Sequence, residues 1–254
     1  MHEICENGDK VAIVSVVRDR VMYEKCLREN PFTAGCELHS IDNLAKNETI
    51  PVCYNRFLKS RVAGERTWYV FCHEDFEPKE GVGHLMKGLD EESLWGPIGA
   101  TTHVRLLLYH QWRVLGQVEE SAKDGSLERS VGTPVPRGTP VETFDCQCLI
   151  VHSSLVQKHG LVFDENLSFD LYVEEFCMAA AKKGIPSRIL PMAARHWSRG
   201  SLLPRYAEQE AYLGAKYPDD CFSGTSSWIL GGKPSFGRRL TVAARRAKQR
   251  LCCG

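Results

Sequence analysis

The chain has 254 residues, enough for one large α/β domain with a C-terminal appendage or at most two small domains. Its 32 Lys and Arg balance 32 Asp and Glu, so net charge gives no argument for wholesale electrostatic binding to nucleic acid. The 11 cysteines are scattered, with no C-x-x-C and no zinc spacing, as in a protein of a reducing compartment, and no leader or apolar span of about 18 residues interrupts the sequence. A cytoplasmic protein, soluble or peripheral at a membrane surface, is expected. Lys10 to Val17 reads as a buried strand ending in Arg18-Asp19-Arg20, so Asp19 falls at a strand's carboxyl end. A helix over Met22 to Glu29 stops at Asn30-Pro31, and Glu37 to Ile41 is a short strand closed by Asp42-Asn43. Tyr54, Phe57, Leu58 and Val62 form a helical stripe within Pro51 to Val62, ended by Gly64.

The next strand is the most informative. Trp68 to Cys72 is apolar throughout, as a strand covered on both faces must be, and it stops abruptly at His73-Glu74-Asp75. A helix over Val82 to Leu89 follows, then a turn at Leu94 to Ala100 whose glycines allow close backbone approach. Arg105 to Val118 suits strand or helix, and Glu119 to Pro140, polar and rich in Gly and Pro, is expected to be a long mobile loop. Thr143 to His152 returns to strand, Asp170 to Lys183 is a helix ended by Gly184, and Ser187 to Ala194 is a strand closing on Arg195-His196-Trp197. Leu202 to Tyr217 is the last helix of the domain. This alternation predicts an α/β fold built on a mostly parallel sheet flanked by helices, as residues 1–220, with a linker and basic amphipathic tail over 221–254. From Lys233 onward Arg238, Arg239, Arg245, Arg246, Lys248 and Arg250 meet no acid, and Leu240, Val242, Ala243, Ala247 and Leu251 interleave with them. Two readings stay open there, a peripheral contact with a membrane surface or anionic partner and a plain solvated tail, with Cys252 and Cys253 as candidate acylation sites.

Several chemistries are excluded by missing motifs: there is no P-loop, since Pro234 follows Gly231-Gly232-Lys233, no G-x-G-x-x-G, no G-x-S-x-G and no H-E-x-x-H. What remains is a set of acids and histidines at strand ends and helix starts: Asp19, Asp42, His73, Asp75, Glu174, Glu175 and His196. In a parallel sheet such ends share one edge, where Mg²⁺ or Mn²⁺ and a phosphorylated ligand can be held. Each residue also has a structural reading alone. Glu174 and Glu175 suit a helix dipole, Asp42-Asn43 a turn, and His196 a satisfied core position.

His73-Glu74-Asp75 after a buried strand, Phe169 to Ala180 (F-D-L-Y-V-E-E-F-C-M-A-A) and His196-Trp197-Ser198-Arg199-Gly200-Ser201 together resemble the glycosyltransferase-like family related to the StrF domain, a family-2-type branch with the Rossmann-like GT-A fold. The resemblance covers Lys10 to Tyr217. It implies a metal-dependent, inverting glycosyltransferase that takes a UDP- or GDP-sugar and delivers to a glycan, lipid-linked or protein hydroxyl. By it, Asp75 matches the metal-binding acid of D-x-D and His73 stands in place of the first acid. His196 matches the late metal ligand, while Asp19, Asp42 and Asn43 match nucleobase and ribose contacts. Glu175 matches the general base, with Glu174 beside it as the alternative. Two other classes stay open: a catalytically silent module that binds nucleotide-sugar or glycan, and a nucleotidyltransferase, for which V-V-R-D-R lacks the glycines of a triphosphate cradle.

Overall fold

The computed structural model describes residues 8–106, 109–122, 124, 126–198, 204–240 and 243. Strands and helices follow in the order β1 (Lys10–Val17), α1 (Arg20–Tyr23), β2 (Glu37–Asp42), α2 (Ile50–Lys59), β3 (Thr67–Cys72), β4 (Phe76–Pro78), α3 (Val82–Leu85), β5 (Leu94–Gly96), β6 (Ile98–Leu106) and β7 (Tyr109–Gly116). They continue with β8 (Val118–Ser121), β9 (Leu127–Val131), β10 (Pro140–Val141), β11 (Thr143–Phe144), β12 (Cys148–His152), α4 (Ser153–His159), α5 (Tyr172–Lys182), β13 (Ser187–Ile189), β14 (Ala194–His196) and α6 (Pro204–Lys216).

A seven-stranded sheet in the order β10-β13-β5-β12-β3-β1-β2 forms the centre. In it β2, β1 and β3 run parallel to one another and β13 runs parallel to β5, while β12 lies antiparallel between β3 and β5. The mostly parallel α/β architecture expected from the alternation is therefore present. Val11 to Val17, Trp68 to Cys72 and Cys148 to Val151 are almost fully buried, because helices and the smaller sheets cover both faces of these central strands. One cluster of core side chains lies on each side, with Tyr54, Phe71, Phe163 and Phe176 on one and Trp68, Met86, Trp95 and Ile150 on the other.

Two smaller sheets, β11-β6-β7 and β4-β14-β8-β9, account for the departures from expectation. Arg105 to Val118, ambiguous in sequence, belongs to the β6–β7 hairpin. Glu119 to Pro140 is not one long loop: β8 pairs antiparallel with β9 and parallel with β14, and Val118 and Ser121 turn inward behind polar neighbours. Its Gly132, at φ 91°, lies against the carbonyl of Gly116, where a Cβ would come within 2.3 Å of oxygen. Thr143 to His152 is two strands because β11 joins β6 while β12 joins the large sheet, with a corner at Asp145 to Gln147 between them. The close approach expected at Leu94 to Ala100 occurs at Gly99, where a Cβ would sit 2.5 Å from the carbonyl oxygen of Thr143.

Packing continues past residue 220, so no linker begins there. Phe222 bridges Leu230, Ser223 N donates to Glu142, and the buried Arg238 guanidinium reaches Cys221 O (3.0 Å), Thr102 Oγ1 (2.6 Å) and Glu142 Oε2 (3.1 Å). The rest of the expected tail, with Cys252 and Cys253, lies outside the described residues, as do Arg199 to Ser201 of the third motif. Among the described residues no helix is long and apolar enough to cross a membrane.

Candidate functional site

The parallel register of β2, β1 and β3 puts Asp42, Asp19 and His73 to Asp75 on one sheet edge. His196 arrives from another sheet. Antiparallel pairing of β14 with β4 sets His196 opposite Phe76, and Trp197 N donates to Asp75 O at 3.0 Å, which closes the corner. His196 Nε2 then lies 3.2 Å from Asp75 Oδ1 and 3.4 Å from His73 Nδ1. One donor atom from each of His73, Asp75 and His196 falls within 4.8 Å of the others.

Protonation in this cluster follows from its hydrogen bonds. Tyr172 Oη donates to Cys146 O (2.8 Å), so His73 Nε2, 3.1 Å away, must carry hydrogen and donate to Tyr172. That leaves the His73 Nδ1 lone pair facing His196. Burial and the neighbouring His196 charge push His73 down to about 4, so it is neutral at physiological pH. Burial would push the Asp75 carboxyl up, but the hydrogen bond and charge of His196 outweigh it and hold it at about 2. His196 is drawn the opposite way: burial lowers it, and the Asp75 carboxylate raises it above the ordinary imidazole value.

Two imidazoles and one ionised carboxylate converging on one point are a fitting donor set for a divalent ion, and imidazole nitrogen favours Mn²⁺ over Mg²⁺. Tyr172 plays the part that outer hydrogen bonds usually play in such centres, fixing which nitrogen of His73 is presented. Tyr172 itself follows Leu171, a buried residue in the left-handed region at φ 60°, ψ 7°. Such a conformation costs on the order of 1–3 kcal/mol and marks a place where surrounding packing over-determines the backbone.

The two glutamates of α5 point to different surroundings, as neighbours about 100° apart on a helix must. Glu174 Oε2 accepts from Cys146 Sγ at 3.0 Å, and Cys146 O is the acceptor of Tyr172, so Glu174 belongs to the cluster's side. Burial first, and the Asp145 charge second, push Glu174 up to about 8. Asp145 and Asp170 act electrostatically on both Glu174 and His73. Glu175 is equally buried but is committed elsewhere: its Oε1 accepts from Lys216 Nζ and Tyr217 Oη, both at 2.6 Å. It lines a groove of about 510 Å³ with Asn55, Phe163, Lys216 and Tyr217. The expectation that Glu175 faces a ligand at the sheet edge is not met; its charge holds α6 to α5.

The remaining expected residues divide. Asp19 N donates to Glu74 Oε1 (3.3 Å) and Asp19 Oδ1 caps α1 at Met22 N (3.2 Å), which places it beside the H-E-D turn. Asp42 caps its own turn at Leu44 N (3.1 Å) and is exposed two strands from β3, roughly 10 Å away at ordinary strand spacing. Asn43 is consumed by the fold, since its amide both donates to Glu48 O and accepts from Glu48 N at 2.8 Å. Sequence reasoning missed Asp145, Cys146 and Tyr172. The first two precede β12, and only its antiparallel direction brings that end to the cluster.

Comparison with protein-family models and with curated proteins finds no match, so membership of the StrF-related family is not shown. Among solved structures, the chain is similar to GalNAc-T7 with UDP, GalNAc and Mn²⁺, at 11% identity and a TM-score of 0.48, over 85% of this chain and 49% of that one. It thus spans about half the length of that protein. It is also similar to A197 from STIV, at 10% identity and a TM-score of 0.34, over 89% of this chain and 95% of that one.

Proposed function

We propose that the protein is a metal-dependent, inverting glycosyltransferase of GT-A type that moves a sugar from a nucleoside-diphosphate donor, a UDP- or GDP-sugar, to a hydroxyl acceptor on a glycan, lipid-linked saccharide or protein. One observation carries the reading: His73, Asp75 and His196 converge at the carboxyl edge of parallel strands, and Glu174 is linked to them through Cys146 and Tyr172. Asp75, His196 and His73 would hold Mn²⁺ or Mg²⁺, and Tyr172 keeps the His73 lone pair aimed at it. When bound, a divalent ion stabilises the charge that develops on the departing diphosphate. Asp19, and more remotely Asp42, would face the nucleoside; Asn43 shapes the turn.

Glu174, rather than Glu175, is the proposed base. Its carboxylate takes the proton of the acceptor hydroxyl as that oxygen attacks the anomeric carbon and the diphosphate leaves from the opposite face. One base facing one leaving group gives inversion. Calorimetric titration of UDP and GDP with and without Mn²⁺ tests the donor reading. Binding that requires Mn²⁺ and disappears in Asp75→Ala supports it; binding indifferent to both overturns it.

A second reading, a module that binds nucleotide-sugar without transfer, is favoured by the raised Glu174 value, which leaves this carboxyl largely protonated at neutral pH. Turnover separates the two. Donor consumption that rises with pH through about 8 selects the enzyme, and tight Mn²⁺-dependent binding with no product at any pH selects the module.

A further inference from the structure

We infer that the C-terminal helical segment docks the protein on an anionic lipid surface. Residues 236–240 are helical and residue 243 is helical as well. Phe236 is 69% exposed, Leu240 is 45% exposed and Ala243 is exposed, and Phe236 and Leu240, at i and i+4, share one face. Arg238, two residues from each of Phe236 and Leu240, points the other way and is buried among Cys221, Thr102 and Glu142. The segment is thus fastened to the body on one side while a large aromatic and a leucine face solvent on the other.

The sequence carries the same apolar spacing on to Ala247 and Leu251, and supplies Arg239, Arg245, Arg246, Lys248 and Arg250 with no Asp or Glu between Lys233 and Gly254. Exposed Phe236 and Leu240, followed in sequence by acid-free basic residues, match a bilayer surface in both respects: apolar side chains enter the headgroup boundary and cations meet anionic lipid. A nucleic-acid or other polyanion contact would use the charges and leave Phe236 and Leu240 without a role. The occupant that uses both features is lipid.

Flotation of the full chain with vesicles of phosphatidylcholine alone, or mixed with phosphatidylserine, tests this. Binding to the mixed vesicles only, weakened by salt, is expected. Phe236→Ser with Leu240→Ser should abolish it at unchanged Tm, and Arg245→Gln with Arg246→Gln should weaken it roughly 25-fold, about fivefold per basic residue. Three outcomes overturn the inference: no flotation with either vesicle, equal flotation of the serine variant, or binding to heparin that competes with vesicles and survives in the serine variant.

Discussion

Replacing Glu174 with Gln should make the protein more stable and less active at once, whereas Glu175→Gln should make it less stable and leave turnover per folded molecule unchanged. A buried carboxyl raised from 4.5 to about 8 penalises the folded state as pH climbs above the unfolded value, and the penalty grows until the folded value is passed. At about pH 7 it amounts to roughly 3 kcal/mol, from about 1.36 kcal/mol for each pH unit above 4.5. Gln keeps the size and the acceptor for Cys146 Sγ while removing the titration. For a chain of this size about 2–4 °C accompanies each kcal/mol, so Glu174→Gln should raise Tm by roughly 6–12 °C near neutral pH and by almost nothing near pH 4.5. Donor turnover should fall by about 10²- to 10⁴-fold, the usual contribution of a general base, with Mn²⁺-dependent UDP or GDP binding retained. Glu175→Gln instead weakens the contacts of Lys216 and Tyr217. Lys216 keeps its bond to Asp164 (2.6 Å), so the loss should be about 1–3 kcal/mol with turnover per folded molecule unchanged. Thermal scans across pH and turnover assays on both variants check the pair. Should Glu175→Gln lose turnover with binding intact while Glu174→Gln keeps it, the assignment of the base fails.

Three further outcomes are expected. Tyr172→Phe removes the partner of His73 Nε2 and frees the ring to flip, so Mn²⁺ affinity measured by calorimetry should fall about 10- to 100-fold with little change in fold. Metal affinity should strengthen as pH rises through the range in which His196, held above the ordinary imidazole value by Asp75, gives up its proton; titrations in buffers of different ionisation enthalpy should register proton release on Mn²⁺ binding. Gly99→Ala places a methyl 2.5 Å from Thr143 O, with Val141 and Phe144 beside it, and should cost about 1–3 kcal/mol in denaturant unfolding.

How far the sequence can be read depends on direction and pairing. Strand positions such as Lys10–Val17 and Thr67–Cys72 are legible because a short continuous apolar run suits a strand buried on both faces, and the H-E-D turn follows as the place where burial ends. The Glu119 to Pro140 stretch reads as loop because its strands are half-exposed and their polar outer residues hide the inward pair Val118 and Ser121. Asp145 and Cys146 are invisible for another reason. No local pattern tells whether β12 runs with or against its neighbours, and only the antiparallel choice carries its first residue to Cys72 rather than to the far edge. Choosing between Glu174 and Glu175 requires knowing which face of α5 meets Cys146 and which meets α6. Adjacent acids on one helix carry no such label.

The cluster itself gives a physical reason to expect a cation there rather than a lone catalytic histidine. His73 Nδ1, Asp75 Oδ1 and His196 Nε2 are near neighbours, and a hydrogen on His196 Nε2 is shared between Asp75 at 3.2 Å and His73 at 3.4 Å, both longer than a strong charge-assisted bond. A general base needs one lone pair and one oriented partner, which Asp75 and His196 would provide without His73. A buried neutral imidazole whose other nitrogen is fixed by Tyr172 makes sense when all three atoms face one dication. Mn²⁺ at about 100 times its dissociation constant should then add roughly 2.7 kcal/mol to stability, or about 5–10 °C in Tm, reversed by EDTA and absent in Asp75→Asn. An unchanged Tm at millimolar Mn²⁺, in wild type and Asp75→Asn alike, would make the triad a structural hydrogen-bond set and remove the ground for metal-assisted transfer.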